Sequence, residues 1–437
     1  MKSISQVGFA VGAVGIVAFL AISVSAQAEE KTAEFGVGVG SSDNIFKTPD
    51  NEVQETIYSA LANFSVFSDT GRLQTDTFGQ LAYMDYQDGS FDSEVVGGFL
   101  SLNTLRFVPN RFAWVINDNF GQRASNPLTP VTPANRENVN FFRTGPVFDF
   151  APEGRNTARL ELLYSRVDYE ESNSDNSRFG GNFTLGRELS RGQNLALVVG
   201  TESIEFDDST EAMDFDRTAA FLRYHVLGNQ TTINVDLGTS RVESDTEDAS
   251  GLLFRLSFDR NLSTYGALRL IAGTNYSDEG NVFRLFQDEL REVDLTEDAV
   301  NNPDPFINSY VSGLYTFDDG RNLVRLTLGW NQSDFKGDTQ SQAQDREVVL
   351  ANFRVQRDFS TSVFGGFRLR YRSRDFKYLE NSTDAFSATA NIGLRFGPRT
   401  SIGLVYQYQT RDDTDVNAEY DENRYFLTMT YTPRWSQ

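Results

Sequence analysis

Four arginines occupy alternate positions near the C-terminal end of the chain, at Arg368, Arg370, Arg372 and Arg374. Alternate residues of a β-strand point to the same face, so a strand over Val363 to Arg374 would align their four guanidinium groups. Guanidinium groups stay charged in proteins and bind carboxylate or phosphate through paired hydrogen bonds. The spacing therefore predicts an anion-binding wall.

Three more arginines extend this wall, because Arg325, Arg354 and Arg395 take the same parity in neighbouring predicted strands. The positions beside them on that face are mostly uncharged: Ser387, Thr389, Asn391, Asn352 and Gln356. Like charges this close repel each other unless acids or anions answer them. We expect the answering charge to come from elsewhere in the fold or from a mobile anion.

Catalytic and metal chemistry find little support in the composition. The chain has no cysteine and one histidine, His225. An enzyme needs a nucleophile with a base, or a histidine beside a carboxylate. Leu222, Tyr224 and Val226 take the apolar parity, which predicts His225 on a polar wall near a turn. The acidic pairs 207–208 and 412–413 could hold Ca²⁺ or Mg²⁺ weakly but are expected to be solvated loops. We predict no catalytic residues, no cofactor and no metal site.

The elements that position these residues are predicted to be β-strands. Apolar and polar residues alternate along nearly the whole chain, in runs of about ten residues, the length a tilted strand needs to cross a membrane. The 34 Gly, 36 Phe and 17 Tyr suit strands that face lipid on one side and water on the other. The clearest apolar sets are Ile233, Val235 and Leu237; Leu252, Phe254, Leu256 and Phe258; Val324, Leu326, Leu328 and Trp330; and Phe386, Ala388, Ala390, Ile392, Leu394 and Phe396.

The connections between strands alternate in length. Nine short turns, such as Asp69-Thr70-Gly71 and Asp318-Asp319-Gly320, separate ten longer polar loops. Short connections on one rim and long ones on the other are typical of outer-membrane barrels, with the short turns in the periplasm. We predict an all-β, antiparallel, up-and-down transmembrane barrel of about 20 strands, within a range of 16 to 20, with both termini in the periplasm.

Residues 1–28 are predicted to be a cleaved signal peptide, and 29–437 the barrel. Lys2 precedes an apolar stretch from Val7 to Val24, and Ala26-Gln27-Ala28 offers a cleavage site before Glu29. Cleavage would remove Lys2 and no acid, so the net charge would move from -22 to -23. A polyanion of this size repels nucleic acid. The sequence predicts the bacterial outer membrane as the location and excludes nucleic acid as a partner.

The last predicted strand carries Tyr425, Leu427, Met429, Tyr431 and Trp435 on one parity. Such a strand ending in an aromatic resembles the signal read by the outer-membrane assembly machinery, although Ser436-Gln437 follow the aromatic here. An ordinary amphipathic edge strand would carry the same pattern. The expected partners are this machinery, together with outer-membrane lipid and lipopolysaccharide.

A short segment after the first predicted strand carries a motif, Ser41-Ser42-Asp43-Asn44-Ile45-Phe46-Lys47-Thr48-Pro49-Asp50. It resembles a loop of the outer-membrane β-barrel porins found with exopolysaccharide and exosortase systems. The resemblance implies an outer-membrane barrel linked to polysaccharide secretion, and it supplies no catalytic residues. The alternative is a tight loop in which Asp43 and Asn44 form an Asx-type turn and Pro49 fixes the backbone.

In such a barrel the arginines would line the lumen, which is wide because 16 to 18 strands already enclose an aqueous channel. Asp76, Glu161, Glu202 and Asp236 are inward candidates to answer them across the lumen, and the long acidic loop 277–305 is another. We predict a porin-like or polysaccharide-export channel for a small anionic solute or polysaccharide. The alternative is a non-conducting barrel that anchors a secretion machine, with loop 277–305 closing the lumen.

Overall fold

A computed structural model describes residues 30–150, 154–208, 213–244, 248–282, 302–336 and 343–434. Every strand in these ranges pairs antiparallel with the next one along the chain. The first strand also pairs with the last, with Phe35 opposite Tyr431 and Ser42 opposite Arg424. The sheet therefore closes on itself, and the predicted up-and-down β-barrel of 20 strands is confirmed.

The strands are 12 to 15 residues long, enough to span a hydrocarbon core at a tilt. Their bounds are β1 Glu30–Ser42, β2 Glu55–Asp69, β3 Leu73–Tyr86, β4 Glu94–Val108, β5 Phe112–Arg123, β6 Glu137–Phe150, β7 Asn156–Tyr169, β8 Asn176–Ser190, β9 Gln193–Phe206, β10 Phe215–Leu227, β11 Thr231–Ser244, β12 Asp248–Asn261, β13 Gly266–Ser277, β14 Phe306–Asp318, β15 Asn322–Phe335, β16 Arg346–Asp358, β17 Val363–Phe376, β18 Asn381–Arg395, β19 Thr400–Asp413 and β20 Tyr420–Tyr431.

The two rims differ as expected. The connections that follow even-numbered strands are short, like residues 70–72 after β2 and 319–321 after β14. Those that follow odd-numbered strands include the long ones, such as 43–54, 124–136 and 278–305. β1 begins and β20 ends on the short-turn rim, so both ends of the barrel sheet lie on the same side.

The face of each strand follows the sequence alternation, because residues directly opposite in antiparallel strands point to the same side. Leu326 and Leu328 lie on the outside of β15, and Leu328 is 54% exposed. Thr327, which lies between them, and Arg325, which precedes Leu326, face the lumen. Tyr425, Leu427, Met429 and Tyr431 are likewise exposed together on the outside of β20. Apolar side chains thus cover the outer surface, and polar ones line the lumen.

The motif at 41–50 holds the seam between β1 and β20. Asn44 is fully buried, and its Nδ2 donates to Thr48 O at 2.8 Å and to Asp421 O at 3.0 Å. Ser42 Oγ donates to Glu422 Oε1 at 2.5 Å, and Asp43 Oδ1 accepts from Asn423 N at 2.7 Å. A tight loop is present, because Lys47 N donates to Asn44 O and Thr48 N donates to Asn44 Oδ1, both at 3.1 Å, but the Asp43 carboxylate binds Asn423 and forms no Asx-type turn. The motif residues therefore close the barrel.

Several predictions lie outside the described residues. These are the signal peptide 1–28, most of loop 277–305, and Trp435 with Ser436-Gln437. Among the residues that are described, no helix is long and apolar enough to cross a membrane.

Candidate functional site: an arginine wall facing an inward loop

Arg368, Arg370, Arg372 and Arg374 of β17 face the lumen, as their parity predicts. Arg368 lies opposite Arg354 of β16, and Arg354 lies opposite Arg325 of β15, so these three guanidinium groups share one row across three strands. Arg370 follows one step nearer the long-loop rim, between Asn352 and Ser387. We call Arg325, Arg354, Arg368, Arg370, Arg372 and Arg374 the arginine wall. None of these six is without an interaction partner.

The strand register places the predicted uncharged residues beside the arginines. Arg368 Nε donates to Asn352 Oδ1 at 3.1 Å, and Arg354 Nη2 donates to Gln356 Oε1 at 3.3 Å. Arg395 differs from the others, because it lies at the short-turn rim and pairs with Asp358 at 2.7 Å. Arg395 faces the lumen but is not part of the arginine wall.

The wall becomes buried towards the long-loop rim. Arg372 and Arg374 are only 3% and 4% exposed. The segment that contacts Arg374 is the connection between β5 and β6, residues 124–136, which we call the inward loop. Arg374 Nη1 donates to Pro127 O at 2.7 Å, and Arg411 Nη2 of β19 donates to Leu128 O at 2.7 Å. Because β20 and β1–β4 separate β19 from β5 around the barrel, the loop extends into the lumen to reach these arginines.

Asn135 gives the inward loop its shape. Its side chain accepts from Asn126 N at 2.7 Å and donates to Asn126 O at 2.9 Å and Pro130 O at 3.1 Å. It also donates to Thr129 Oγ1 at 2.9 Å. Asn135 itself is 8% exposed and ends a short 3-10 helix, Pro133–Asn135. One buried amide thus satisfies several backbone groups that would otherwise be unpaired.

A second set of charged residues connects the end of β13 to β5, β6 and β8–β10 across the lumen. Asp278 follows β13 directly and binds Arg178 at 2.6 Å and Arg217 at 2.7 Å. Glu279 pairs with Arg123, which also binds Glu137 at 2.6 Å. Glu202 is bound to Arg217. We call these seven residues the rim network: Arg123, Glu137, Arg178, Glu202, Arg217, Asp278 and Glu279. It fixes the start of loop 277–305 to the wall formed by β5, β6 and β8–β10.

Burial shapes the chemistry of Asp278. Burial raises the pKa of its carboxyl, but the charges of Arg178 and Arg217 outweigh this and bring the pKa down to about 2. Asn281 N also donates to Asp278 Oδ1 at 3.1 Å, as at the beginning of a helix. Gly280 lets Arg178 approach, because a Cβ there would lie 2.4 Å from the Arg178 Nη2. Asp278 is therefore ionised at neutral pH and holds the two guanidinium groups together.

Three of the acids expected to pair with the arginine wall across the lumen have other partners, which corrects the sequence analysis. Asp236 binds Arg223 at 2.8 Å and Arg255 at 2.9 Å, both on strands adjacent to its own. Glu161 binds Arg159 at 2.8 Å, and Glu202 belongs to the rim network. All three face the lumen as predicted, and their partners lie on the same strand or on the next one, much closer than the far side of a wide barrel. The role of Asp76 stays a prediction.

The remaining candidates for chemistry have structural partners. His225 faces the lumen near the short-turn rim, with its Nδ1 2.6 Å from Asn234 Oδ1. Asp207 binds the Arg166 Nη2 at 2.6 Å, and Asp413 accepts from Thr383 Oγ1 at 2.8 Å. These acids are held by hydrogen-bond donors of the protein itself.

Sequence reasoning missed Arg411 and the inward loop. Arg411 lies on the inward parity of β19, beside Arg372 with Ala385 of β18 between them. The alternation along β19 continues to Arg411 and could have revealed it. The loop contacts use backbone carbonyls, which every residue carries, so no side-chain pattern marks them.

No protein-family model matches the chain, and no curated protein does. Among solved structures, the siderophore receptor PirA from Acinetobacter baumannii is 8% identical, with 92% of this chain and 80% of that chain covered, at a TM-score of 0.48. PirA from Pseudomonas aeruginosa is 12% identical over 92% and 80%, at 0.45. OccK2 (OpdF) from the same organism is 10% identical over 93% and 99%, at 0.37. Likenesses at this level carry no argument about function, and the barrel architecture rests on the strand pairing of the chain itself.

Proposed function

We propose that this protein is an outer-membrane channel for small anionic solutes, with its passage lined by the arginine wall and narrowed by the inward loop that contacts this wall. One observation carries the proposal: Arg374 and Arg411 donate to the carbonyls of Pro127 and Leu128 at 2.7 Å. The loop and the charged wall therefore meet inside the barrel, where a passing solute would have to contact them.

The membrane location is supported by the surface of the barrel. Its outer face is largely apolar along strands long enough to span hydrocarbon, and the pairing of β1 with β20 leaves no free strand edge among the described strands. Short connections on one rim and longer ones on the other fit an outer-membrane barrel with both ends in the periplasm. Lipopolysaccharide and the outer-membrane assembly machinery are the partners that this location implies.

The preference for anions follows from the charge of the wall. Arg325, Arg354 and Arg368 lie side by side, so a solute moving past them meets several guanidinium groups at once. Charged side chains that line a constriction select ions in barrel channels. Small solutes fit the lumen better than a polymer does, because the inward loop crosses it. Export of polysaccharide, the role that the motif resemblance implies, would require this loop to move.

A non-conducting barrel that anchors other proteins is the second candidate. It is favoured by the rim network, which fixes residues 278–282 against β5, β8 and β10, where Arg123 and Glu137 flank the inward loop. Two segments thus extend into the lumen at the same rim. A channel needs the space between them to admit hydrated ions, whereas an anchor does not.

The experiment replaces Arg368, Arg370 and Arg372 together by Ser and measures the reversal potential in a salt gradient across a planar bilayer. We expect the potential to shift towards cations, because lumen charges act at short range whereas charges in the loops are screened within about 8 Å at physiological salt. The matched control is the triple substitution Arg155→Ser, Arg187→Ser and Arg191→Ser, which removes the same charge from exposed positions near the short-turn rim.

The outcomes separate the two candidates. A shift with the wall variant but not with the rim control supports the proposal. If an open pore keeps its reversal potential after the wall substitution, the arginines are structural and the assignment is wrong. If neither the unmodified protein nor a variant lacking residues 127–133 conducts, the anchoring role is favoured.

A further inference from the structure

A second group of lumen arginines lies on β10 to β12, away from the arginine wall. Arg223, Asp236 and Arg255 stand directly opposite one another on these three adjacent strands. They face the lumen, because the adjacent residues Leu222 and Leu237 are 52% and 56% exposed on the outside. We call Arg223, Asp236 and Arg255 the arginine clamp.

The carboxylate of the clamp is buried, whereas its two guanidinium groups are open to the lumen. Asp236 is 5% exposed, and the side chains of Arg223 and Arg255 are 45% and 34% exposed. Arg223 donates to Asp236 through Nε at 2.8 Å and through Nη2 at 2.9 Å, and Arg255 Nη2 lies 2.9 Å from the same carboxylate. Asp236 therefore holds both guanidinium groups while part of each remains accessible to a solute.

An aromatic ring fixes the same two guanidinium groups. The guanidinium carbons of Arg223 and Arg255 lie 5.4 Å and 4.9 Å from the ring centroid of Phe221. Phe221 is 7% exposed and packs with the buried Val198 and Leu253. A cation over a ring face is attracted to the ring electrostatically. The two groups are thus held in place at the lumen surface, so a ligand that binds them has little side-chain motion left to restrict.

The clamp has more positive charge than its own carboxylate can balance. Two guanidinium groups and one carboxylate leave one positive charge in excess, and no second carboxylate among the described residues forms an ion pair with either arginine. Glu161 on β7 acts on Arg223 at longer range, but it binds Arg159 at 2.8 Å. The clamp therefore differs from an ordinary one-to-one ion pair of the lumen face.

We infer that the arginine clamp is a binding site for a small monocarboxylate anion. Such an anion accepts hydrogen bonds from the accessible N–H groups of both arginines and neutralises the excess charge. The N–H donors of a guanidinium group match the two oxygens of a carboxylate. A dianion such as phosphate would leave a net negative charge at a partly buried site, which is less favourable.

The clamp lies at the same depth as the arginine wall. Arg223 and Arg354 are each fifth from the short-turn end of their strands, and Asp236 and Arg368 are each sixth. Two strands, β13 and β14, separate the clamp from the wall. A carboxylate that passes the wall can therefore bind the clamp at the same level. This role rests on the proposed anion channel, but binding to the clamp is measured without any conduction.

The experiment titrates trifluoroacetate, a carboxylate probe, into the folded protein in detergent micelles and follows binding by fluorine NMR. Arg255→Gln leaves Arg223 and Asp236 as a neutral pair and should weaken binding at the clamp by about tenfold, because a hydrogen bond from a charged group is lost. Asp236→Asn removes a negative charge with little change of shape and should strengthen binding by about tenfold. Opposite shifts from two members of one cluster are not expected of residues that only stabilise the barrel.

The matched control is Arg269→Gln, which removes a lumen arginine of 45% side-chain exposure that pairs one to one with Asp259. It should leave the dissociation constant of the clamp nearly unchanged. The comparison is repeated in protein that carries Arg368→Ser, Arg370→Ser and Arg372→Ser, where the differences should persist without binding at the arginine wall. Arg223→Gln should act as Arg255→Gln does and replaces it if that variant does not fold.

Acetate should compete with trifluoroacetate more strongly than inorganic phosphate does at the same concentration and pH 8. Equal dissociation constants for the unmodified protein, the Gln variant and Asp236→Asn would overturn the inference. Stronger competition by phosphate would overturn the assignment to monocarboxylates. A protein that binds the probe at the clamp but shows no anion conductance would contradict the proposed channel and leave this site standing.

Discussion

Single inward residues act in this barrel through the partner that geometry gives them. Asp236 lies between Arg223 and Arg255, so one carboxylate binds two guanidinium groups on one wall. Arg374 and Arg411 donate instead to neutral carbonyls of the inward loop. Parity along the sequence gives the inward side of Asp236 and Arg374. It cannot give the partner, because that depends on which strand ends and loops meet across the lumen.

Asp278 offers a test of the rim network at this scale. Asp278→Asn leaves Arg178 and Arg217 buried without their shared carboxylate, which should lower the free energy of unfolding by about 3–5 kcal/mol at neutral pH. The pKa of about 2 in the folded protein lies below the usual aspartate value of 3.8. The stabilisation by Asp278 is therefore complete above about pH 4 and is lost as pH falls towards 2.

The measurement is urea unfolding of both proteins in lipid vesicles between pH 8 and pH 3. The difference between them should be constant from pH 8 to about pH 5 and should shrink below pH 4. The control is Asp248→Asn, which breaks the exposed pair with Arg241 and should change little. A difference that disappears already at pH 6 would mean that Asp278 is not the ionised centre of the network.

The inward loop is the element that turns an open barrel into a narrowed one. Asn135 is predicted to control it, because Asn135→Ala leaves buried carbonyls and an N–H without partners. Lost buried hydrogen bonds cost about 1–3 kcal/mol, which corresponds to roughly a 5- to 150-fold larger population of the displaced loop. Single-channel recordings should show more frequent openings of larger conductance.

Asn126→Ala is the matched control for this loop, because the backbone of Asn126 keeps its contacts with Asn135. We expect its recordings to resemble those of the unmodified protein. If Asn135→Ala has the same conductance and open times as Asn126→Ala, the inward loop does not set the width of the passage.

The strand faces provide a further test at the element scale. Leu326→Arg puts a charge on the lipid side of β15 and should cost about 2–4 kcal/mol, whereas Thr327→Arg points into the lumen and should cost little. Phe254→Arg on the outside of β12 should resemble Leu326→Arg. The free energy of folding into vesicles distinguishes them, and equal values for Leu326→Arg and Thr327→Arg would contradict the assigned faces.

For the whole molecule, the architecture could be predicted because lipid and water sort side chains with a period of two. Alternation at Leu252 to Phe258 and at Val324 to Trp330 marks strands without any knowledge of their neighbours. The alternating lengths of the connections then give the number of strands and the side of each rim. These signals are local, and the barrel closure follows from them.

The parts that could not be predicted depend on contacts distant in the chain. Pro127 meets Arg374, and Asp278 meets Arg178, over separations that no periodicity records.

The most direct test is a recording of the unmodified, folded protein in a planar bilayer with a salt gradient. We predict discrete channels whose reversal potential favours anions, although the chain carries a net charge of -22. Small organic anions should reduce the current reversibly by binding at the arginine wall. Cation preference, or no conductance from protein that is heat-modifiable and inserted, would contradict the proposal that the arginine wall forms an anion channel.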